Sequence, residues 1–150
     1  MARPAIMERI RKVFCYLFED HGFTVFSETY FESFGNWVIV LLSDSCRVRL
    51  LEDRGEVSIA IGPLWSPASW QAGPWFDLPV VIAYLTDGKD KWEYKSGDTT
   101  QQLERLGSSL HQYCDQICEM FKDDVFQKKQ EELRAIEEQW HSELWARLSP

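Results

Sequence analysis

The sequence predicts an α+β domain: an N-terminal helix, a four-stranded antiparallel meander, a short helix, and a long C-terminal helix or helical pair. Two observations predict this class. Short apolar and alternating segments separated by turn residues occupy positions 23–61, which is typical of consecutive antiparallel strands. After Gly107 the chain has no glycine, and no proline before Pro150, and its apolar residues recur at helical spacing.

The N-terminal helix is expected to begin near Pro4, because a first helical turn does not need the N–H that proline lacks. Gly22 favours the left-handed conformation that ends many helices. Between them, apolar residues recur on one helical face. That face consists of Ile6, Ile10, Val13, Phe14, Leu17 and Phe18. We expect it to pack against the sheet.

Four strands are predicted, at residues 23–30, 37–42, 47–51 and 56–61. The second is almost wholly apolar, as a central strand would be, whereas the third and fourth alternate between apolar and polar residues. Gly55 suits the left-handed position of the hairpin turn between the last two. Because the connections are short, the strands are expected to pair in sequence order.

The connection after the fourth strand, residues 62–75, is rich in proline and tryptophan. Rigid aromatic side chains are enriched at interaction hot spots. Tryptophan side chains are also buried on average in any domain. We therefore favour the alternative in which this loop folds over the open face of the sheet. The three tryptophans are Trp65, Trp70 and Trp75. Asp77 is then expected to cap a short helix over 78–85.

The C-terminal helical region opens with a capping pattern, Thr99-x-x-Gln102. One unbroken helix of about 45 residues over the stretch after Gly107 would span about 70 Å, whereas a compact domain of this size has a radius of gyration of about 15 Å. The mostly polar stretch 122–130 is the expected bend. We therefore divide the chain into one α+β domain, residues 1–121, and a helical C-terminal extension, residues 122–150, which either bends back or protrudes.

The amino-acid composition limits the classes of partner that we expect the protein to bind. A net charge of −8 disfavours binding to a nucleic-acid backbone and favours a basic partner. The longest apolar run, 37–42, is too short to cross a bilayer, and residues 1–12 lack the apolar core of a signal peptide. The four cysteines lie in apolar or periodic contexts and indicate free thiols. We expect a cytoplasmic protein that binds neither nucleic acid nor membrane.

Catalytic signatures are not found in the sequence. It contains no G-x-S-x-G, H-E-x-x-H or phosphate-loop pattern, so we expect no enzyme and assign no catalytic or cofactor-binding residue. His111, Cys114 and Cys118 could offer zinc ligands from one helix, but a fourth ligand and a paired C-x2-C are missing. Buried cysteines that act as small apolar residues are the favoured interpretation, and no metal or cofactor is predicted.

The end of the last helix combines aromatic and acidic residues. Trp140 and Trp145 continue its apolar stripe, and Glu137 and Glu138 lie beside it. If this segment leaves the domain, its stripe must meet a second copy or another protein. The predicted partner-binding residues are therefore Trp65, Trp70, Trp75, Glu137, Glu138, Trp140 and Trp145.

Residues 14–121 resemble small acidic bacterial proteins of uncharacterised or immunity type, through the segments 17–23, 40–50, 53–56 and 75–85. The resemblance implies a non-catalytic cytoplasmic protein that binds a toxin or defence component, and it carries over no site residues. One alternative is a structural subunit or adaptor that oligomerises or docks through the C-terminal helix. A second alternative is a small-molecule enzyme or sensor.

Overall fold

The computed structural model describes residues 3–32, 35–68, 73–89 and 97–148. Within these ranges the chain forms five helices and five strands. In chain order they are α1 (Arg3–Val13), α2 (Cys15–Asp20), β1 (Thr24–Tyr30), β2 (Trp37–Leu42), β3 (Arg47–Asp53), β4 (Glu56–Gly62), β5 (Phe76–Asp77), α3 (Leu78–Thr86), α4 (Thr99–Met120) and α5 (Asp123–Leu148). The predicted α+β class is confirmed.

The sheet is an antiparallel meander in the order β1-β2-β3-β4-β5. Its fifth strand is an addition to the four predicted, in which Phe76 pairs with Ile61 and Asp77 pairs with Ala60. A two-residue strand is too short to show the alternation by which strands are recognised in a sequence. At the other edge, the register of β1 shifts between Val25 and Ser27, so Phe26 lies at a bulge.

The main core lies between one face of this sheet and the helices. Successive strand residues point to opposite faces, and the inward residues Ile39, Leu50 and Ile59 are at most 1% exposed. The helices supply the other side of the core. Their fully buried residues include Ile10, Leu17, Leu103, Ile117, Phe126 and Leu133.

The N-terminal helix is divided at Phe14, where the sequence predicted one continuous helix. Phe14 has φ −107° and ψ 27°, outside the helical region, and its side chain is fully buried. The break turns α2 so that Tyr16, which lies off the predicted apolar face, is buried next to Leu17. Gly22 has φ 69°, the left-handed conformation expected of it.

The cap of α4 is one residue earlier than predicted. Asp98, rather than Thr99, accepts a hydrogen bond from the Gln101 backbone N–H at 2.8 Å, and the Gln101 side chain accepts from the Asp98 N–H at 3.0 Å. Asp98 is therefore the N-cap residue of a reciprocal capping box. Thr99 instead donates its hydroxyl to Glu52 on β3 at 2.7 Å.

The C-terminal region is a helical pair, one of the two predicted forms. α4 ends at Met120 and α5 begins at Asp123, so the chain turns at the beginning of the polar stretch 122–130. α5 then folds back beside α3, where Tyr84 donates a 2.7 Å hydrogen bond to Glu132. The buried Leu133 shows that this part of α5 belongs to the core.

Candidate functional site

Trp65 is the most exposed large apolar side chain among the described residues, at 57%. It lies in the loop between β4 and β5, next to Leu64, which is 38% exposed. Its ring meets the ring of Phe126 on α5 edge-on, with the centroids 6.3 Å apart. Because Phe126 is fully buried, Trp65 projects from a fixed support rather than from a free loop tip.

The loop that carries Trp65 is held by hydrogen bonds of the next residue, Ser66. The side chain of Ser66 is fully buried and donates to the Pro74 carbonyl at 2.9 Å. The Ser66 carbonyl accepts a hydrogen bond from the Arg47 guanidinium on β3. A Cβ on Gly62 would collide with Ser66, so this close approach requires glycine at the end of β4. The backbone around Trp65 is thus ordered before any partner binds.

Trp75 lies in the same connection but is only 8% exposed. It covers the outer face of the sheet, where it packs with Val38, Val40 and Ala60. Its indole N–H donates to the Pro67 carbonyl at 3.0 Å, and the Arg49 guanidinium lies 4.8 Å from its ring centroid. The interpretation that the loop completes the core therefore holds for Trp75, which offers little surface to a partner.

Four of the other predicted partner residues belong to α5. Glu138 is exposed, whereas Glu137 and Trp140 are half-buried. Trp140 packs against the core and lies next to His141, with ring centroids 5.4 Å apart. Trp70 and the side chain of Trp145 lie outside the described residues.

Glu137 and Asp77 connect α5 electrostatically with the end of β5. Burial raises the pKa of Glu137, and the charge of Asp77 adds to this, whereas His141 opposes it. Burial also raises the pKa of Asp77, although Arg49 and His141 favour its ionised form. The neighbouring Phe76 ring lies 6.0 Å from that of Phe126, the support of Trp65.

Phe126, the support of Trp65, and Glu137 therefore lie along the same face of α5. They are eleven positions apart, at an axial distance of about 17 Å. We call the surface formed by Leu64, Trp65, Glu137, Glu138 and Trp140 the Trp65 surface. It combines aromatic and acidic side chains on a supported backbone.

A second group of reactive side chains lies where α2, the β2–β3 turn and α4 meet. The ligand atoms of His21, Cys114 and Cys118 all lie within 4.8 Å of one another. Cys46, from the β2–β3 turn, hydrogen-bonds with Cys118. We call His21, Cys46, Cys114 and Cys118 the thiol cluster.

The thiols of this cluster have unequal acidities. Hydrogen bonds that Cys114 and Cys46 donate to its sulfur lower the pKa of Cys118, and the nearby His21 contributes. The pKa values of Cys46 and Cys114 are raised, because each gives its hydrogen bond to Cys118 and is removed from water.

The sequence analysis considered His111 beside Cys114 and Cys118, whereas the structure brings His21 to these two cysteines. His111 is seven residues from Cys118, about 10 Å along the helix axis. Its ring is exposed and stacks on Tyr16, with centroids 4.0 Å apart. His21 and Cys46 come from distant parts of the chain, and only the cysteine count of four hinted that a further thiol was available.

A groove between α1, α2 and α4 is a candidate site for binding a small molecule. Its lining includes Lys12, Glu19, Tyr16, Glu104 and His111. The Tyr16 hydroxyl donates to the Gly107 carbonyl at 2.7 Å, and burial raises its pKa. The hydroxyl is thus committed to the backbone of α4.

No protein-family model, curated protein or solved structure matches this chain. Within the described ranges, the helices are too short or too polar to cross a membrane. The resemblance to immunity-type proteins therefore stays a prediction, and the functional argument rests on the two sites described above.

Proposed function

We propose that the chain is a non-catalytic cytoplasmic protein that binds another protein and blocks it by covering its surface, as an immunity- or antitoxin-like inhibitor does. The observation that carries the proposal is the exposure of Trp65 on a buried, hydrogen-bonded support. A residue that only completed the core would be covered, as Trp75 is.

Trp65 has the properties of a binding anchor. Tryptophan is enriched among the few residues that dominate interface energies. Binding is weakened when side chains and loops must be ordered on association. The contacts of Ser66 and Phe126 order the backbone around Trp65 in the free protein, so that cost is small at Trp65.

Charge indicates the chemistry of the partner. The chain carries a net charge of −8, and Glu137 and Glu138 lie along α5 on the Trp65 surface. Complementary charge speeds association and disfavours wrong partners. The partner expected from this surface is a protein with a basic patch around an apolar pocket that accepts an indole ring.

The alternatives receive less support from the same contacts. An adaptor that docks through α5 needs an apolar stripe free of its own domain, but Phe126 and Leu133 are fully buried. A small-molecule enzyme or sensor needs convergent acid, base or nucleophile groups in a pocket. In the groove beside α4, the Tyr16 hydroxyl is already bonded to the backbone.

The test is photo-crosslinking in the native cell with a benzophenone amino acid at position 65 of the full-length chain. The matched control carries the same amino acid at Phe31, which is 39% exposed. Phe31 follows Tyr30, which pairs with Trp37 at one end of the sheet, whereas Gly62 pairs with Arg47 at the other end. Position 31 thus reports non-specific contact far from the Trp65 surface.

The proposal expects one dominant protein adduct from position 65 that is absent from position 31. The adduct should identify a protein with a basic surface, whose activity falls when the chain is added in equimolar amount. Equal adducts from both positions, or adducts only with a second copy of this chain, would overturn the proposal.

A further inference from the structure

We propose that His21, Cys46, Cys114 and Cys118 form a structural zinc site. This inference goes beyond the proposed function and is independent of it, because no residue of the thiol cluster belongs to the Trp65 surface. Three thiols and one imidazole are a ligand set that structural Zn²⁺ sites use. Four protein ligands leave no open position for water or substrate, so the site would be structural rather than catalytic.

The distances suit a metal of this kind. Zn–S bonds of about 2.3 Å and Zn–N bonds of about 2.0 Å place tetrahedral ligand atoms roughly 3.5 to 3.8 Å apart. The ligand atoms of His21, Cys114 and Cys118 already lie within 4.8 Å of one another. A metal would need to draw them together by only about 1 Å, which side-chain rotations supply. Cys46 lies beside Cys118 and would complete the ligand set from the β2–β3 turn.

The cluster is shielded from water. Cys46 is fully buried and Cys114 is 3% exposed. The side chain of His21 is 19% exposed, and Cys118 is half-buried. Cys114 and Cys118 are one helical turn apart on α4 and therefore lie on the same face of the helix.

Neighbouring polar groups are placed to hold the ligands. Asp115 Oδ1 lies 3.7 Å from His21 Nε2, so coordination through Nδ1 would leave Nε2 to donate to a carboxylate. Such a carboxylate fixes the ring orientation of many metal-binding histidines. Ser43 Oγ lies 3.9 Å from Cys46 Sγ and can hydrogen-bond to that sulfur.

Zinc at this position would join three parts of the fold. His21 follows α2, Cys46 lies between β2 and β3, and the other two ligands lie on α4. The ion would thereby tie the N-terminal helices and the sheet to the C-terminal helical pair. A metal that binds only the folded chain stabilises it. At metal concentrations well above Kd, this stabilisation grows with the logarithm of the metal concentration.

The test is a titration of the reduced, metal-free full-length protein with Co²⁺, followed by competition with Zn²⁺. Tetrahedral cobalt bound by thiolates gives intense visible bands and a near-ultraviolet charge-transfer band. The proposal expects about one Co²⁺ per chain, displacement by Zn²⁺, and a higher melting temperature with Zn²⁺. The wild type and each variant named below are also compared by circular dichroism, so that loss of folding is separated from loss of binding.

Cys118→Ser and Cys114→Ser should each weaken Co²⁺ binding more than about a hundredfold, since they remove ligands rather than outer partners. His21→Gln changes a less buried position and should keep the fold while binding weakens at least about tenfold. The matched controls are Cys15→Ser and His111→Gln, which remove a thiol and an imidazole outside the cluster. Asp115→Asn should weaken Co²⁺ binding less than the ligand substitutions do and more than the control substitutions do.

Three results would overturn the proposal. One is a protein that gives no thiolate-to-cobalt band. Another is a folded His21→Gln variant that binds Co²⁺ as tightly as the wild type. The third is an effect of Cys15→Ser equal to that of Cys118→Ser. A disulfide between cluster cysteines in protein isolated from the cell under alkylating conditions would also contradict a metal site, because a bound metal keeps the thiols reduced.

Discussion

Gln102 Oε1 accepts a 2.8 Å hydrogen bond from the backbone N–H of Val57, which joins the start of α4 to the first residues of β4. The amide nitrogen of the same side chain donates to the carbonyl oxygens of Gly55 at 2.8 Å and of Gly97 at 2.9 Å. One side chain therefore pairs three backbone groups from two segments. The predicted capping residue thus serves as a bridge between helix and hairpin.

Gln102→Ala is expected to lower the free energy of unfolding by about 1–3 kcal/mol, because it leaves a partly buried N–H and two carbonyls without these bonds. The measurement is urea-induced unfolding followed by circular dichroism. Gln112→Ala is the control, since the exposed Gln112 bonds only to the neighbouring Tyr113 among the contacts identified, at 3.3 Å. Equal effects of the two substitutions would show that Gln102 does not hold the hairpin.

Leu133→Ala is expected to lower the free energy of unfolding by about 2–5 kcal/mol, as for other buried leucines. The reason is that Leu133 on α5 is fully buried in the core. Glu131→Ala, at an exposed position of the same helix, should change it by less than about 0.5 kcal/mol. A protruding α5 would instead make both substitutions nearly neutral in thermal and urea unfolding.

Asp77 is expected to make stability pH-dependent. Burial raises its pKa above the usual value of 3.8, so the folded state holds the proton more tightly than the unfolded state. Its contribution is therefore fully present below pH 3.8 and is lost as the pH rises through the raised pKa. The Asp77→Asn protein lacks this titration and serves as the reference.

The measured quantity is the unfolding free energy of the wild type minus that of Asp77→Asn. Urea unfolding gives both free energies at each pH from acid to neutral. This difference should fall as the pH rises from about 3.8 and then become constant. A difference that rises with pH would mean that Arg49, rather than burial, dominates the environment of Asp77.

Charge reversal on α5 should slow association with the crosslinked partner. Glu138→Lys is expected to reduce the association rate constant several-fold more than Glu8→Lys, an equal charge change at an exposed position of α1. The difference between the association rate constants of the two variants should become smaller as salt is raised, because salt screens exposed charges beyond about 10 Å at 0.1 M. Stopped-flow binding at two salt concentrations measures it, and equal slowing by both variants would remove Glu138 from the Trp65 surface.

The sequence predicted the fold well where patterns are local and long. The bounds of β2 match the prediction because a continuous apolar run lies between two turns. The two-residue β5 and the break at Phe14 were not predicted, since tertiary pairing and burial decide them. The shift of the helix cap to Asp98 reflects a choice between two adjacent residues that can both cap.

The sites were harder to predict because they depend on contacts between distant segments. Trp65 and Trp75 lie in the same proline-rich connection, and no local pattern shows that one is exposed and the other covers the sheet. The thiol cluster brings His21 and Cys46 to α4 across three elements. Helical spacing instead pointed to His111, which stacks on Tyr16.

The central claim is that Trp65 anchors a protein partner, and its most direct test is the Kd for the crosslinked partner. Trp65→Ala should raise Kd by about 30-fold or more, the effect of a hot spot of about 2 kcal/mol. Phe31→Ala, the matched control, should change Kd less than about twofold. Circular dichroism should show both variants folded. Unchanged affinity in a folded Trp65→Ala protein would contradict the account.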